Sequence, residues 1–72
     1  MTYGTALKHA NVNVEEMDKY ETYEFHGTTP KGNKFCLYKA CGTFDKFALQ
    51  INGEQRATRC NFRTAIRIIK TN

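Results

Sequence analysis

One dipeptide, Asn52-Gly53, limits the fold of this chain more than any other feature. It joins Phe47-Ala48-Leu49-Gln50-Ile51 to Gln55-Arg56-Ala57-Thr58-Arg59. Asn and Gly tolerate the two positive φ angles of a type I′ turn, whose twist matches a pair of antiparallel strands. A tight hairpin here sets Ile51 opposite Glu54, Leu49 opposite Arg56 and Phe47 opposite Thr58. On its other face it sets Gln50 against Gln55, Ala48 against Ala57 and Lys46 against Arg59.

Two further turns extend the hairpin into a meander over residues 20–60. Thr29-Pro30-Lys31-Gly32 supplies a Pro pre-set for a turn and a Gly able to take φ > 0. It pairs Phe25 with Phe35, Tyr23 with Leu37 and Glu21 with Lys39. A three-residue loop, Cys41-Gly42-Thr43, pairs Phe35 with Leu49, Leu37 with Phe47 and Lys39 with Asp45. A two-residue loop would invert every side chain. All three turns place Tyr23, Phe25, Phe35, Leu37, Phe47, Leu49 and Ile51 on one face, and such agreement between local and global signals supports the sheet.

Asn61 is a good N-cap, and Phe62, Ala65, Ile66 and Ile69 follow at i, i+3, i+4 and i+7. A helix of about ten residues is too short to stand alone, so it must pack on the apolar face. At the amino end, Tyr3, Leu7, Ala10, Val14 and Met17 are spaced as an amphipathic helix. Asn11-Val12-Asn13 are poor helix formers, and Asn13 with Glu16 resembles a fresh N-terminal cap; a break near 11–13 is expected. The predicted fold is α+β: a four-stranded antiparallel meander, a C-terminal helix on one face and an N-terminal helical segment. Residues 1–72 make a single small domain, burying roughly 60–65% of its unfolded surface.

No run of 18 apolar residues exists, so no membrane span is expected. Met1-Thr2-Tyr3-Gly4 lacks the charged-then-apolar plan of a signal peptide. Three cysteines, an odd number, suit free thiols in a reducing compartment. A cytoplasmic location is expected.

Charge is divided along the chain. Residues 1–30 hold two Lys against five acids (−3), and residues 31–72 hold nine Lys or Arg against two acids (+7), summing to +4. All four arginines, Arg56, Arg59, Arg63 and Arg67, lie in the last seventeen residues. Arg63, Arg67 and Lys70 fall on one flank of the predicted helix, and Lys70 also complements its dipole. Arginine forks match phosphate geometry, and a basic helix face is a nucleic-acid footprint. Acidic protein surfaces would attract the same charge.

The polar face of the predicted sheet carries Thr22, Glu24, His26, Cys36, Tyr38, Ala40, Lys46, Ala48, Gln50, Gln55, Ala57 and Arg59. Tyr38 beside Lys46 and Arg59 is a grouping that stacks a base while neutralising a phosphate. A polar outer face is also ordinary for a sheet with one side on the core. A zinc set of His26, Cys36, Cys41 and Cys60 lacks a Cys-x-x-Cys knuckle, and the register sends Cys36 and Cys60 to opposite faces. No metal or cofactor is expected. With no serine, a nucleophile would be Cys or Thr, such as Cys36 near His26. So small a domain does not wrap a substrate pocket, and no phosphate loop is present; an enzyme is not expected.

The order helix, strands, basic helix is similar to a double-stranded-RNA-binding domain, whose last helix spans phosphates. Phe62-Arg63-Thr64-Ala65-Ile66-Arg67 lacks that family's paired lysines, and the Asn52-Gly53 hairpin adds a strand. A sheet followed by one helix also resembles the arm-binding domains of phage integrases, which occur attached to a catalytic domain. No residue roles carry over from either.

The expected function is that of a small regulatory protein contacting DNA or RNA phosphates through Arg56, Arg59, Arg63, Arg67, Lys70 and Lys46, with Tyr38 stacking. The alternative is a protein-binding inhibitor or adaptor of the phage-accessory type, docking on an acidic host-protein surface or, through its acidic half (Glu15, Glu16, Asp18, Glu21, Glu24), on the basic cleft of a nucleic-acid enzyme, or adding an edge strand to a partner's sheet. The two charge poles would also allow a homodimer.

Overall fold

The computed structural model describes residues 3–17, 24–40 and 45–72. Its elements run α1 (Tyr3–His9), β1 (Asn13–Met17), β2 (Glu24–Thr28), β3 (Lys34–Lys39), β4 (Phe47–Ile51), β5 (Glu54–Cys60) and α2 (Phe62–Thr71). The strands form one antiparallel sheet in the order β1-β2-β3-β4-β5. Five strands replace the four expected. Phe25, Phe35, Leu37, Phe47, Leu49 and Ile51 are buried on one face, as the turns required, against Leu7 of α1 and Ala65 and Ile69 of α2. Thr22, Tyr23, the pairs made by Glu21 and Tyr23, and the loop Cys41-Gly42-Thr43 lie outside the described residues.

The extra strand corrects the reading of residues 13–17 as helix. The expected break at 11–13 is real. Asn11 takes φ 62°, Val12 N donates to Leu7 O at 3.0 Å and Asn11 N to Lys8 O at 3.0 Å. These bonds form a Schellman cap, with Leu7 and Val12 as its apolar contact. Beyond it Asn13 begins a strand rather than a second helix. Val14 pairs with Gly27 and Met17 with Phe25, and the register slips by one between them. That bulge at Glu15 lets two residues three apart face the same core. A helix and a bulged strand therefore share one sequence spacing. The unpaired edge of β2 favours the strand, because its backbone groups need partners.

Pairings within the meander shift from expectation by two residues. Phe25 pairs with Leu37 and Gly27 with Phe35; Phe35 pairs with Ile51, Leu37 with Leu49 and Lys39 with Phe47. A shift of two preserves both faces, so the core assignment survives while the partners change. The Pro30 turn itself forms, with Gly32 N donating to Thr29 O at 2.9 Å. Thr29 N then reaches Asn33 O at 2.7 Å, which centres the reversal on Lys31 rather than Pro30 and so moves the register by two. Gly27 accommodates the result: a Cβ there would stand 2.0 Å from Asn13 O and 2.8 Å from the Phe35 ring.

The Asn52-Gly53 turn has φ of 52° and 80°, as type I′ requires. Ile51 pairs with Glu54 and Gln50 with Gln55, but then Leu49 meets Ala57 and Phe47 meets Cys60. The expected pairs Leu49–Arg56, Phe47–Thr58, Ala48–Ala57 and Lys46–Arg59 are thereby corrected. The regular register would have set Arg56 and Thr58 over the core. Two irregularities instead turn Ala57 and Cys60 inward, where both pack against it.

α2 starts where its cap predicts, with Asn61 Oδ1 accepting from Thr64 N at 2.8 Å. Tyr3 of α1, Phe47 of β4 and Phe62 of α2 form an aromatic trio with centroids 4.7–5.3 Å apart. The trio ties both helices to the same side of the sheet. At another corner Asn52 Oδ1 accepts from Lys34 N at 3.0 Å, and its amide donates to Asn33 Oδ1 at 2.9 Å. Asn33 in turn donates to the main-chain oxygen of Asn72, joining both hairpin turns to the end of α2.

Candidate functional site

Both helices occupy one side of the sheet, and no described element covers the other. Strand alternation then arranges this open face in cross-strand rows. One row runs Glu16, His26, Cys36, Gln50, Gln55 over all five strands, and the next runs Glu24, Tyr38, Ala48. Acidic groups lie toward β1 and arginines toward β5.

An open cleft of about 290 Å³ lies toward the β5 end, lined by Tyr38, Ala40, Ala48, Gln55, Thr58 and Arg59. Ala40 and Ala48 are buried and small, so they make a shallow apolar floor. Tyr38 is fixed at one side: its hydroxyl donates to Gln55 Oε1 at 3.3 Å. Gln50 Nε2 donates to the same oxygen at 3.3 Å. The Gln55 amide nitrogen donates to Leu49 O at 3.4 Å and to Ala57 O, carbonyls flanking the β5 bulge. Arg59 is exposed at the rim. The arrangement suits a flat ring against the phenol, with an anion on the guanidinium.

The seven residues nominated from sequence do not form one site. Tyr38 and Arg59 share the cleft. Arg63, Arg67 and Lys70 are exposed on α2, in the layer behind the sheet. Arg56 is exposed on edge strand β5, between the cleft residues Gln55 and Thr58 in sequence. Lys46 does not line the cleft. It is half-buried just before β4, and its charge acts on Cys60. Ala57, expected on the polar face, packs against the core. Gln55 and Thr58 complete the cleft: Gln55 sits opposite Gln50 as expected, whereas Thr58, expected over the core opposite Phe47, is turned outward by the β5 irregularities.

Cys36 and Cys60 are free thiols on opposite faces, as the register required; Cys41 lies outside the described residues. Cys60 Sγ donates to Phe47 O at 3.5 Å, and burial raises its pKa against a lowering by Lys46. Cys36 stands directly opposite His26, whereas the expected Phe25–Phe35 register implies Glu24 there. Its Sγ lies 3.9 Å from His26 Nε2, which is 3.6 Å from Glu24 Oε2. Burial and the Glu24 carboxylate both raise the Cys36 pKa.

Fold and site together define a two-layer α+β module with one uncovered sheet face, flanked by a basic edge strand and helix. Compared with known proteins, the chain matches no family model, no curated protein and no solved structure. Among the described residues, no helix is long and apolar enough to cross a membrane.

Proposed function

We propose that this protein is a small regulatory module that binds single-stranded nucleic acid across the open face of its sheet. The observation that carries the reading is the alanine-floored cleft shared by Tyr38 and Arg59. One base stacks on Tyr38, and Arg59 takes an adjoining phosphate. Arg56, then Arg63, Arg67 and Lys70, continue the positive field around the β5 edge onto α2. Stacking on an aromatic is worth about 1–3 kcal/mol per base and accepts any base; the cations make binding fall steeply with salt.

Fluorescence anisotropy with labelled single-stranded DNA, single-stranded RNA and duplexes of each, at two salt concentrations, tests it. Single strands should bind best and lose affinity with salt. Tyr38→Ala should weaken binding by roughly 5- to 150-fold, and Arg63→Glu with Arg67→Glu should weaken every ligand. Duplex preference with no effect of Tyr38→Ala would move the site to the α2 stripe alone. Absence of binding at low salt would remove the reading. A protein-binding adaptor would then stand, resting on edge strand β1, which presents Glu15 and Glu16.

A further inference from the structure

Beside the cleft, the open face brings together three side chains that the Tyr38–Arg59 reading does not use. Glu24 and His26 are two apart on β2 and so point the same way. Cys36 stands across from His26 on β3. One donor atom from each lies within 4.8 Å of the other two.

These separations are those of metal ligands. Zinc–sulfur bonds of about 2.3 Å and zinc–nitrogen or –oxygen bonds of about 2.0–2.1 Å, at tetrahedral angles, set S···N near 3.6 Å and N···O near 3.4 Å. The structure has 3.9 Å for Cys36 Sγ to His26 Nε2 and 3.6 Å for His26 Nε2 to Glu24 Oε2. Side-chain shifts of a few tenths of an ångström close these two gaps, and the third pair, Cys36 Sγ and a Glu24 oxygen within 4.8 Å, closes by rotation of the exposed Glu24 side chain. The backbone holding them is two adjacent, regularly paired strands in the middle of the meander, a rigid base for a site.

We propose that Glu24, His26 and Cys36 bind one borderline-soft divalent cation of the Zn²⁺ class, with solvent in the fourth position. A thiol, an imidazole and one carboxylate select such a cation over Mg²⁺ or Ca²⁺, which take all-oxygen sets. Binding displaces the Cys36 thiol proton to solvent, and the cation neutralises the thiolate and carboxylate held side by side. The site adjoins the Tyr38–Arg59 cleft, since Glu24 pairs directly with Tyr38, but it shares no residue with it.

The test uses the reduced full chain with Co²⁺ alone, then Zn²⁺ as competitor. One Co²⁺ per chain should bind with a sulfur-to-cobalt charge-transfer band in the near ultraviolet, and Zn²⁺ should abolish it. A Kd of about 10 μM or tighter is expected from three ligands on a fixed scaffold. Cys36→Ser should remove the band, His26→Gln should weaken binding at least tenfold or so, and Cys60→Ala should leave both unchanged. Circular dichroism establishes that each variant is folded. For the unmodified chain, Zn²⁺ but not Mg²⁺ should raise the melting temperature. Absence of the band in the folded wild type, or its survival in Cys36→Ser, would overturn the site.

Discussion

Tyr38 on β3 and Gln55 on β5 are joined across the intervening strand by a 3.3 Å hydrogen bond from the phenol to the amide oxygen. The amide nitrogen of the same Gln55 donates to Leu49 O and Ala57 O beside the bulge. One side chain thus orients the aromatic of the cleft and pairs carbonyls where the β4–β5 ladder is irregular.

Gln55→Leu should lower stability by about 1 kcal/mol through loss of these bonds. It should also weaken single-strand binding, because Tyr38 loses its anchor. Gln55→Glu keeps an acceptor for Tyr38 but has no donor for the carbonyls and sets a negative charge in the cleft, so it should destabilise and also weaken binding by repelling phosphate. Urea unfolding beside anisotropy separates the two. Equal stability of all three proteins would refute the role of Gln55 at the bulge.

Gly27→Ala should destabilise the protein by about 1–3 kcal/mol, the usual range for overpacking. The added methyl meets Asn13 O on β1 and the Phe35 ring on β3. The carbonyl is backbone and yields only if β1 moves away. Hydrogen exchange should therefore quicken first in residues 13–17. Thermal unfolding unchanged from wild type would contradict the close approach of β1 to β2.

Two substitutions at Asn52 divide its contributions. Asn52→Gly keeps the positive φ and loses the bonds to Lys34 N and Asn33 Oδ1, at a cost of about 1–2 kcal/mol. Asn52→Ala loses the bonds and also strains the turn, adding about 1 kcal/mol more. Chemical denaturation gives both values, and an Ala variant as stable as the Gly variant would show that the turn is not strained.

Burial holds the Cys60 thiol above its ordinary pKa despite Lys46, so the folded state favours the protonated thiol. This contribution is fully present below the unfolded value, about 9.0, and is lost as pH rises through the higher folded value. Urea titrations at pH 7 to 10 should show wild type losing more stability with pH than Cys60→Ala does. Parallel pH profiles would rule out the linkage.

The core and the Pro30 and Asn52-Gly53 turns were legible because they depend on local chemistry. Phe35 and Leu37 found the expected face despite a two-residue error in partners, since strand faces repeat every two residues. Asn52-Gly53 and Asn61 act through their own backbone and cap bonds, and both are where sequence places them. The bulges were not legible. Whether Arg56 or Ala57 turns inward is decided by what lies beneath β5, and that belongs to other parts of the chain. The same reason hid Thr58, which lines the cleft although the regular register sets it over the core; Tyr38, Ala40, Ala48, Gln55 and Arg59 fall on the polar face in either register.

By itself, the sequence determined which residues of the meander are core, where the Pro30 and Asn52-Gly53 turns and the start of α2 lie, and that charge gathers toward one end. Only the tertiary structure decided that Val14 and Met17 belong to a strand. A spacing of three fits one helical face or one face of a bulged strand equally well. The choice falls to the strand because β2 has an unpaired edge and the core has room beside Phe25 and Gly27. The tertiary structure also separated Arg59 from Arg63 and Arg67, neighbours in sequence that a five-stranded sheet assigns to different layers.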